Sequence, residues 1–211
     1  MFEISSDHFK SIREGPWEKA ERTDYRISLD HENKIIYVIG RESGDEDWPD
    51  NFDFRKREPP VQWFDDNPDI LVHAGFLRQY QAVRDTLLDV CKNYIDYAIR
   101  ISGYSLGASW TQIFIEDCIH RWPFRDLEAN LYAPANPWYK LSKKYQIALA
   151  ERTTFVKCYW DFITWMRVIG FHRYGKTIYI GKPWRVWSFQ HSPEQIIRGL
   201  DEKFPLEGKS E

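Results

Sequence analysis

The chain has 211 residues, a formal net charge of −3 and 43% hydrophobic residues, which suits one domain spanning 1–211 with a sizeable core. No block of basic residues is present, so a nucleic-acid partner is not expected, and no apolar run approaches the ~20 residues that cross a bilayer. The opening Met1-Phe2-Glu3-Ile4-Ser5-Ser6-Asp7 has no basic segment followed by an apolar one, which predicts no secretory leader and a cytoplasmic location. Cys91, Cys118 and Cys158 are odd in number and widely spaced, the pattern of buried thiols in a reducing compartment and not of a disulfide framework.

Residues 1–22 are polar and predict a peripheral helix. Tyr25-Arg26-Ile27-Ser28-Leu29 alternates as a half-buried strand does. After the turn Asp30-His31-Glu32-Asn33-Lys34, Ile35-Ile36-Tyr37-Val38-Ile39-Gly40 reads as a buried strand, and the two should pair as an antiparallel hairpin. The charged stretch 51–69, with Pro59-Pro60 and Pro68, predicts a long loop, and long loops in compact domains are often lids or binding loops. Ile70-Leu71-Val72-His73 is a short strand. From Gly75 onward, Phe76, Tyr80, Val83, Leu87, Val90, Cys91 and Tyr94 recur at helical spacing.

Tyr97-Ala98-Ile99-Arg100-Ile101 is an apolar, partly β-branched strand. It leads into Gly103-Tyr104-Ser105-Leu106-Gly107, and Ala108 to Ile115 then reads as a buried helix. Strand, sharp turn and helix are the setting in which a G-x-S-x-G serine is held out as a nucleophile. The strained turn needs small residues two before and two after the serine, and Gly103 and Gly107 supply them. Ser105 then sits at a helix N-terminus, where free N–H groups favour developing negative charge. Leu127-Glu128-Ala129-Asn130-Leu131-Tyr132 is the next strand, broken by Pro134 and Pro137. A Lys-rich polar stretch leads to a strand from Thr153 to Trp160 that stops at Asp161. Thr177 to Ile180 and Trp184 to Phe189, separated by Gly181-Lys182-Pro183, read as a hairpin. Ser192-Pro193-Glu194 starts a closing helix, with serine at the cap and proline at the first position. Alternating strands and helices predict an α/β sheet, parallel at its centre.

A serine hydroxyl needs a base and an acid that orients it, in the chain order Ser, Asp or Glu, His on such a sheet. Three histidines follow Ser105. His120 lies at the far end of the following helix, about four turns away. His172 precedes the predicted hairpin. His191 leaves the last predicted strand on a loop, where such folds carry functional groups, and is favoured over His172. Asp161 ends an apolar strand beside Phe162-Ile163-Thr164-Trp165, where a carboxylate needs a hydrogen-bond partner such as an imidazole N–H. Asp126 precedes its strand, at the wrong edge of the sheet. The oxyanion hole needs two donors: the backbone N–H of Leu106, and one from Arg41 or Glu42 after the strand ending at Gly40.

Several segments together resemble the class 3 lipase family of α/β-hydrolases. Val72-His73-Ala74-Gly75-Phe76 is similar to its V-H-x-G-F stretch, and Ser102-Gly103-Tyr104-Ser105-Leu106-Gly107-Ala108 to its T/S-G-H-S-L-G-G/A elbow. Asp47-Trp48-Pro49-Asp50-Asn51-Phe52 resembles D-W-x-x-N-L, Tyr132-Ala133-Pro134-Ala135 resembles Y/F-G-x-P, and His191-Ser192-Pro193-Glu194 resembles the H-x-x-x-Y region. The resemblance runs from about residue 35 to 200. Two departures stand out. Val38-Ile39-Gly40-Arg41-Glu42-Ser43 replaces the family's F-R-G-T/S, so its oxyanion hydroxyl is missing or displaced to Ser43. Tyr104 replaces the elbow's common histidine.

The resemblance implies an α/β-hydrolase fold with a mostly parallel central sheet flanked by helices, and a reduced lid because the chain is short. It implies ester hydrolysis through an acyl-enzyme by Ser105, His191 and Asp161, on a small-molecule or lipid ester, with no metal or organic cofactor. An acyltransferase with the same triad and an inactive binding module are the alternatives. Trp63, Phe64, Tyr104 and Trp165 are the candidate substrate-lining residues, with Trp63 and Phe64 at an apolar tip beside Asp65-Asp66. If that tip is a lid, replacing both Trp63 and Phe64 with Ser should lower turnover of medium-chain p-nitrophenyl esters far more than of the acetate, because each buried CH₂ contributes about 0.8 kcal/mol. Equal losses along the chain-length series would leave the loop a structural cover.

Overall fold

The computed structural model describes residues 3–21, 23–41, 53, 55–57, 70–159, 161, 170–182 and 191–205. In chain order the elements are α1 (Ser6–Arg13), β1 (Glu18–Ala20), β2 (Thr23–Asp30), β3 (Ile35–Gly40), β4 (Lys56–Arg57), β5 (Leu71–His73), α2 (Ala74–Asn93), β6 (Ala98–Tyr104), α3 (Leu106–Arg121), β7 (Leu127–Tyr132), β8 (Trp138–Lys140), α4 (Lys143–Arg152), β9 (Thr153–Cys158), β10 (Lys176–Ile180) and α5 (Pro193–Lys203). Seven strands form one sheet in the order β1-β2-β3-β6-β7-β9-β10, and β4-β5-β8 form a small second sheet.

Strands β1, β2 and β3 pair antiparallel, and each later pair in the large sheet is parallel. The β2–β3 turn is tied by Asp30, whose carboxylate accepts the Asn33 backbone N–H at 2.9 Å and its side-chain amide at 2.8 Å. Alternation sorts the side chains between two faces. Ile36, Val38, Ile99, Ile101, Leu131 and Phe155 meet α2, α3 and α4 in the larger core. Ile39, Tyr104, Tyr132, Val156 and Ile180 meet α1 and α5 in the smaller one. The mostly parallel sheet flanked by helices is the α/β-hydrolase arrangement expected from the sequence.

Helix α3 is buried nearly all round, which is why its sequence shows no polar stripe. Its buried Asp117 accepts from Tyr80 Oη at 2.7 Å, Arg84 Nε at 2.8 Å and Arg121 Nε at 2.7 Å. Two cations and a phenol thus satisfy one carboxylate and fix α2 against α3. Removing that carboxylate would take away the buried partner of the buried Arg84 guanidinium, a loss of about 3–5 kcal/mol.

Some expectations change. The helix predicted over residues 1–22 is confined to Ser6–Arg13, and Glu18–Ala20 is a strand; Gly15-Pro16 interrupts the helical run. Nor is α1 peripheral: Phe9 and Ile12 are buried, each contributing about 1.5–3 kcal/mol. The Lys-rich stretch contains α4, which buries only Tyr145 and Leu149 and so gives a weak pattern. The strand expected to reach Trp160 ends at Cys158. Of the expected hairpin, Lys176–Ile180 pairs in parallel with β9, and the second arm lies outside the described residues. Among the described residues no helix is long and apolar enough to cross a membrane.

His73 joins β5 to α2. Its fully buried imidazole stacks on Phe76, centroids 4.0 Å apart, and lies 5.3 Å from Phe171. Its Nδ1 accepts a long hydrogen bond, 3.5 Å, from the Phe76 N–H. Burial pushes its pKa down to about 4 from 6.5; Asp53 opposes the shift and Arg78 adds to it. Between pH 6.5 and 4 the unfolded chain takes up a proton that the folded chain refuses, so stability is lost as pH falls through that window. Urea unfolding of the native chain should show a slope of up to about 1.4 kcal/mol per pH unit from this group, and His73→Gln should remove it. A variant with the native slope would show that His73 does not carry the effect.

Candidate active site

The site begins at the end of β6. Ser105 has φ 54° and ψ −119°, a conformation that costs a non-glycine residue about 1–3 kcal/mol. Two hydrogen bonds hold it. Its N–H donates to the Tyr132 carbonyl at 2.9 Å. Its carbonyl accepts the Ser109 hydroxyl at 2.9 Å, one helical turn on. Ser109 Oγ also accepts the Ala135 N–H at 2.9 Å, joining the elbow to the loop after β7.

The flanking glycines are required by close backbone approach. A Cβ at Gly103 would come 2.8 Å from the Ala108 nitrogen, and one at Gly107 would come 2.2 Å from the Gly40 oxygen and 2.3 Å from that of Arg41. Only at this spacing can the first turn of α3 lie against the end of β3.

Ser105 Oγ lies 2.8 Å from His191 Nε2. Both carboxylate oxygens of Asp161 lie 2.9 Å from His191 Nδ1. An ionised carboxylate only accepts hydrogen bonds, so Nδ1 carries the proton, and Nε2 offers a lone pair to the serine hydroxyl. The Asp161 side chain is fully buried, whereas the His191 side chain keeps 11% exposure. Asp161 follows β9, and His191 directly precedes Ser192, whose hydroxyl caps α5 by accepting the Gln195 N–H at 3.4 Å. Three residues from separate loops thus converge.

The rival residues have other partners. His120 Nδ1 lies 2.8 Å from Tyr145 Oη. His172 exchanges main-chain hydrogen bonds with Trp138. Asp126 forms a two-pronged ion pair with Arg100, at 3.1 and 2.8 Å.

Asp161 also acts on its neighbours. Burial, and then the Asp161 charge, pushes the Cys158 thiol up to about 12. Buried Lys157 is pushed down to about 8 by desolvation and by Arg173, with Asp161 pulling the other way. Sequence reasoning does not single out Lys157, because a lysine on an apolar strand carries no motif; its place four residues before Asp161 is the available signal. It also misses Ser109 and the Tyr132 carbonyl, although Ser109 at i+4 from Ser105 on a helix is readable.

Leu106 opens α3, so its N–H is among the first-turn donors that have no intrahelical acceptor. The second expected oxyanion donor is corrected in part. The Arg41 N–H donates to the Asp24 carbonyl at 3.1 Å, because the β2–β3 ladder continues one residue past Gly40. Arg41 is therefore committed to the sheet. Glu42 lies outside the described residues, as do Trp63, Phe64 and Trp165. Tyr104 is also corrected: it is only 5% exposed, packs against Phe9 on the α1 face, and its hydroxyl donates to the His191 carbonyl. It supports the site from behind and does not line a substrate path. Among the described residues no group of three His, Cys, Asp or Glu could hold a metal ion.

The fold has solved counterparts. The chain is similar to a triacylglycerol lipase from Penicillium expansum (TM-score 0.61, 23% identity), with 75% of this chain and 65% of that one covered. It is similar to the Rhizomucor miehei lipase in its propeptide complex (TM-score 0.58, 18% identity, 84% and 63%), and to the Lip2 lipase of Yarrowia lipolytica (TM-score 0.57, 16% identity, 81% and 66%). The chain thus spans less than two thirds of the length of each of these lipases. At these identities the structural likeness shows a shared fold. A sequence comparison with the curated proteins found no match. The family model described as Lipase (class 3) matches residues 37–165, which take in the elbow strand, Ser105 and Asp161, and the chain belongs to that family.

Proposed function

We propose that this chain hydrolyses carboxylic esters through an acyl-enzyme, with Ser105 as nucleophile, His191 as base and then acid, and Asp161 as the group that orients the imidazole. The observation that carries the reading is the unbroken relay from Ser105 Oγ through His191 to buried Asp161, at 2.8 and 2.9 Å. In this reading Ser105 Oγ attacks the ester carbonyl carbon while its proton passes to His191 Nε2. The Leu106 N–H at the helix N-terminus then meets the new oxyanion. Collapse breaks the ester C–O bond, and the leaving alkoxide takes the proton from His191. Water then attacks the acyl-serine by the same steps and releases the acid. Asp161 stabilises the imidazolium without becoming protonated itself.

The likeness to the triacylglycerol lipase of Penicillium expansum supports an acylglycerol or similar lipid ester as the substrate class. Free, buried Cys91, Cys118 and Cys158 support placing the protein in the cytoplasm. A second reading, an inactive relative that only binds its ligand, draws on the engaged Arg41 N–H, since one expected oxyanion donor is lost to Asp24.

A fluorophosphonate probe separates the two readings, since a working relay labels Ser105 and a binding module leaves it unmodified. With p-nitrophenyl esters, Ser105→Ala should lower kcat by about 10⁴ or more while the fold persists. His191→Ala should be as damaging, and the double variant no worse, because the members act as a unit. His172→Ala should keep most of the activity. The opposite ranking of the two histidines would move the base to His172.

A further inference from the structure

We propose that Tyr104 is a positioning residue for His191, fixing the height of the base over the serine through the Tyr104 hydroxyl; this rests on His191 being the base. The hydroxyl of Tyr104 donates to the main-chain carbonyl of His191. The two rings lie nearly parallel, 24° between planes and 5.6 Å between centroids. Tyr104 immediately precedes Ser105, so the main chain that carries the base is tied to the strand end that carries the nucleophile.

Two further contacts around His191 act elsewhere. Asp161 holds the ring at Nδ1, and Ser192 fixes the start of α5. Neither sets the distance of the His191 main chain from β6. The tyrosine ring is itself clamped: Phe9 meets it edge-on, at 5.3 Å and 87°, and the Arg13 guanidinium lies 5.8 Å over its face. A contact path therefore runs from α1 through Tyr104 to the base. The family's usual histidine at this elbow position is a smaller ring without a phenol oxygen, so the tether belongs to the tyrosine that replaces it here.

Proton transfer over 2.8 Å is sensitive to position, and a misplacement of about 1 Å can cost about 100-fold. Tyr104→Phe keeps the ring and removes only the tether. It should lower kcat on a soluble acetate ester by about 10- to 100-fold, with KM within about two-fold. The rate of fluorophosphonate inactivation should fall by the same factor, because it uses the same transfer from Ser105. In a His191→Ala background, Tyr104→Phe should cost nothing further, since a residue acting through the base has nothing left to position. A multiplied loss in that background, a loss confined to KM, or no loss would overturn the proposal. An active His191→Ala variant would overturn the base assignment as well, and that is read from the single variant alone. A second measurement needs no variant: in the native chain the Tyr104 hydroxyl proton should exchange slowly in NMR spectra. Exchange as fast as that of the exposed Tyr139 and Tyr159 would also overturn it.

Discussion

Everything at the site depends on one close approach of backbone to backbone, where the first turn of α3 meets the end of β3. Gly107 faces the carbonyls of Gly40 and Arg41 at distances that leave no room for a side chain. That contact sets the angle at which α3 leaves β6. Ser105, between β6 and α3, takes its positive-φ conformation at this junction. The strain is held in place by hydrogen bonds on both sides of the residue, to Tyr132 and from Ser109. Without the glycine contact there would be no elbow, and without the elbow His191 would have no hydroxyl to meet.

The same contact has a cost in hydrogen-bonding capacity. To bring β3 up to the helix, the β2–β3 ladder runs one residue beyond Gly40 and consumes the Arg41 N–H. A longer ladder stiffens the strand end and removes a donor from the cleft. The electrostatics nearby follow a similar division. Asp161 is fully buried and meets the imidazole with both oxygens. Its charge adds to burial in raising Cys158, and opposes burial in restraining the fall of Lys157. The negative charge at the end of β9 is felt by its own strand as well as by the histidine.

Most of the large sheet is legible in the sequence because its strands are short, apolar and bounded by strong signals. Leu127–Tyr132 reads with its observed bounds, and Gly103 to Gly107 declare a turn between strand and helix. The three relay residues are legible for a different reason: few histidines follow Ser105, and chain order with loop position separates His191 from the others. The failures have physical causes too. Helix α4 buries two side chains, too few to stand out against its lysines. Strand β8 has three residues and follows a proline. The engaged Arg41 amide depends on how far a ladder extends, which no local pattern encodes. Adjacency to the nucleophile suggests a substrate-facing Tyr104, but strand alternation sends neighbouring side chains to opposite faces.

The order of the three relay residues along the chain bears on how the protein is made. Strand β6 pairs with β3 and β7, so the elbow can be assembled from residues synthesised well before the C-terminal part emerges. Asp161 comes later, and His191 later still, directly before α5, whose Ile196 and Leu200 pack on the second face of the sheet. The strained serine and its proton acceptor thus belong to different faces of the sheet's packing, and the second needs the α5 segment in place. On the proposed mechanism, reactivity toward esters therefore requires the α5 face to be packed as well as the sheet to be formed.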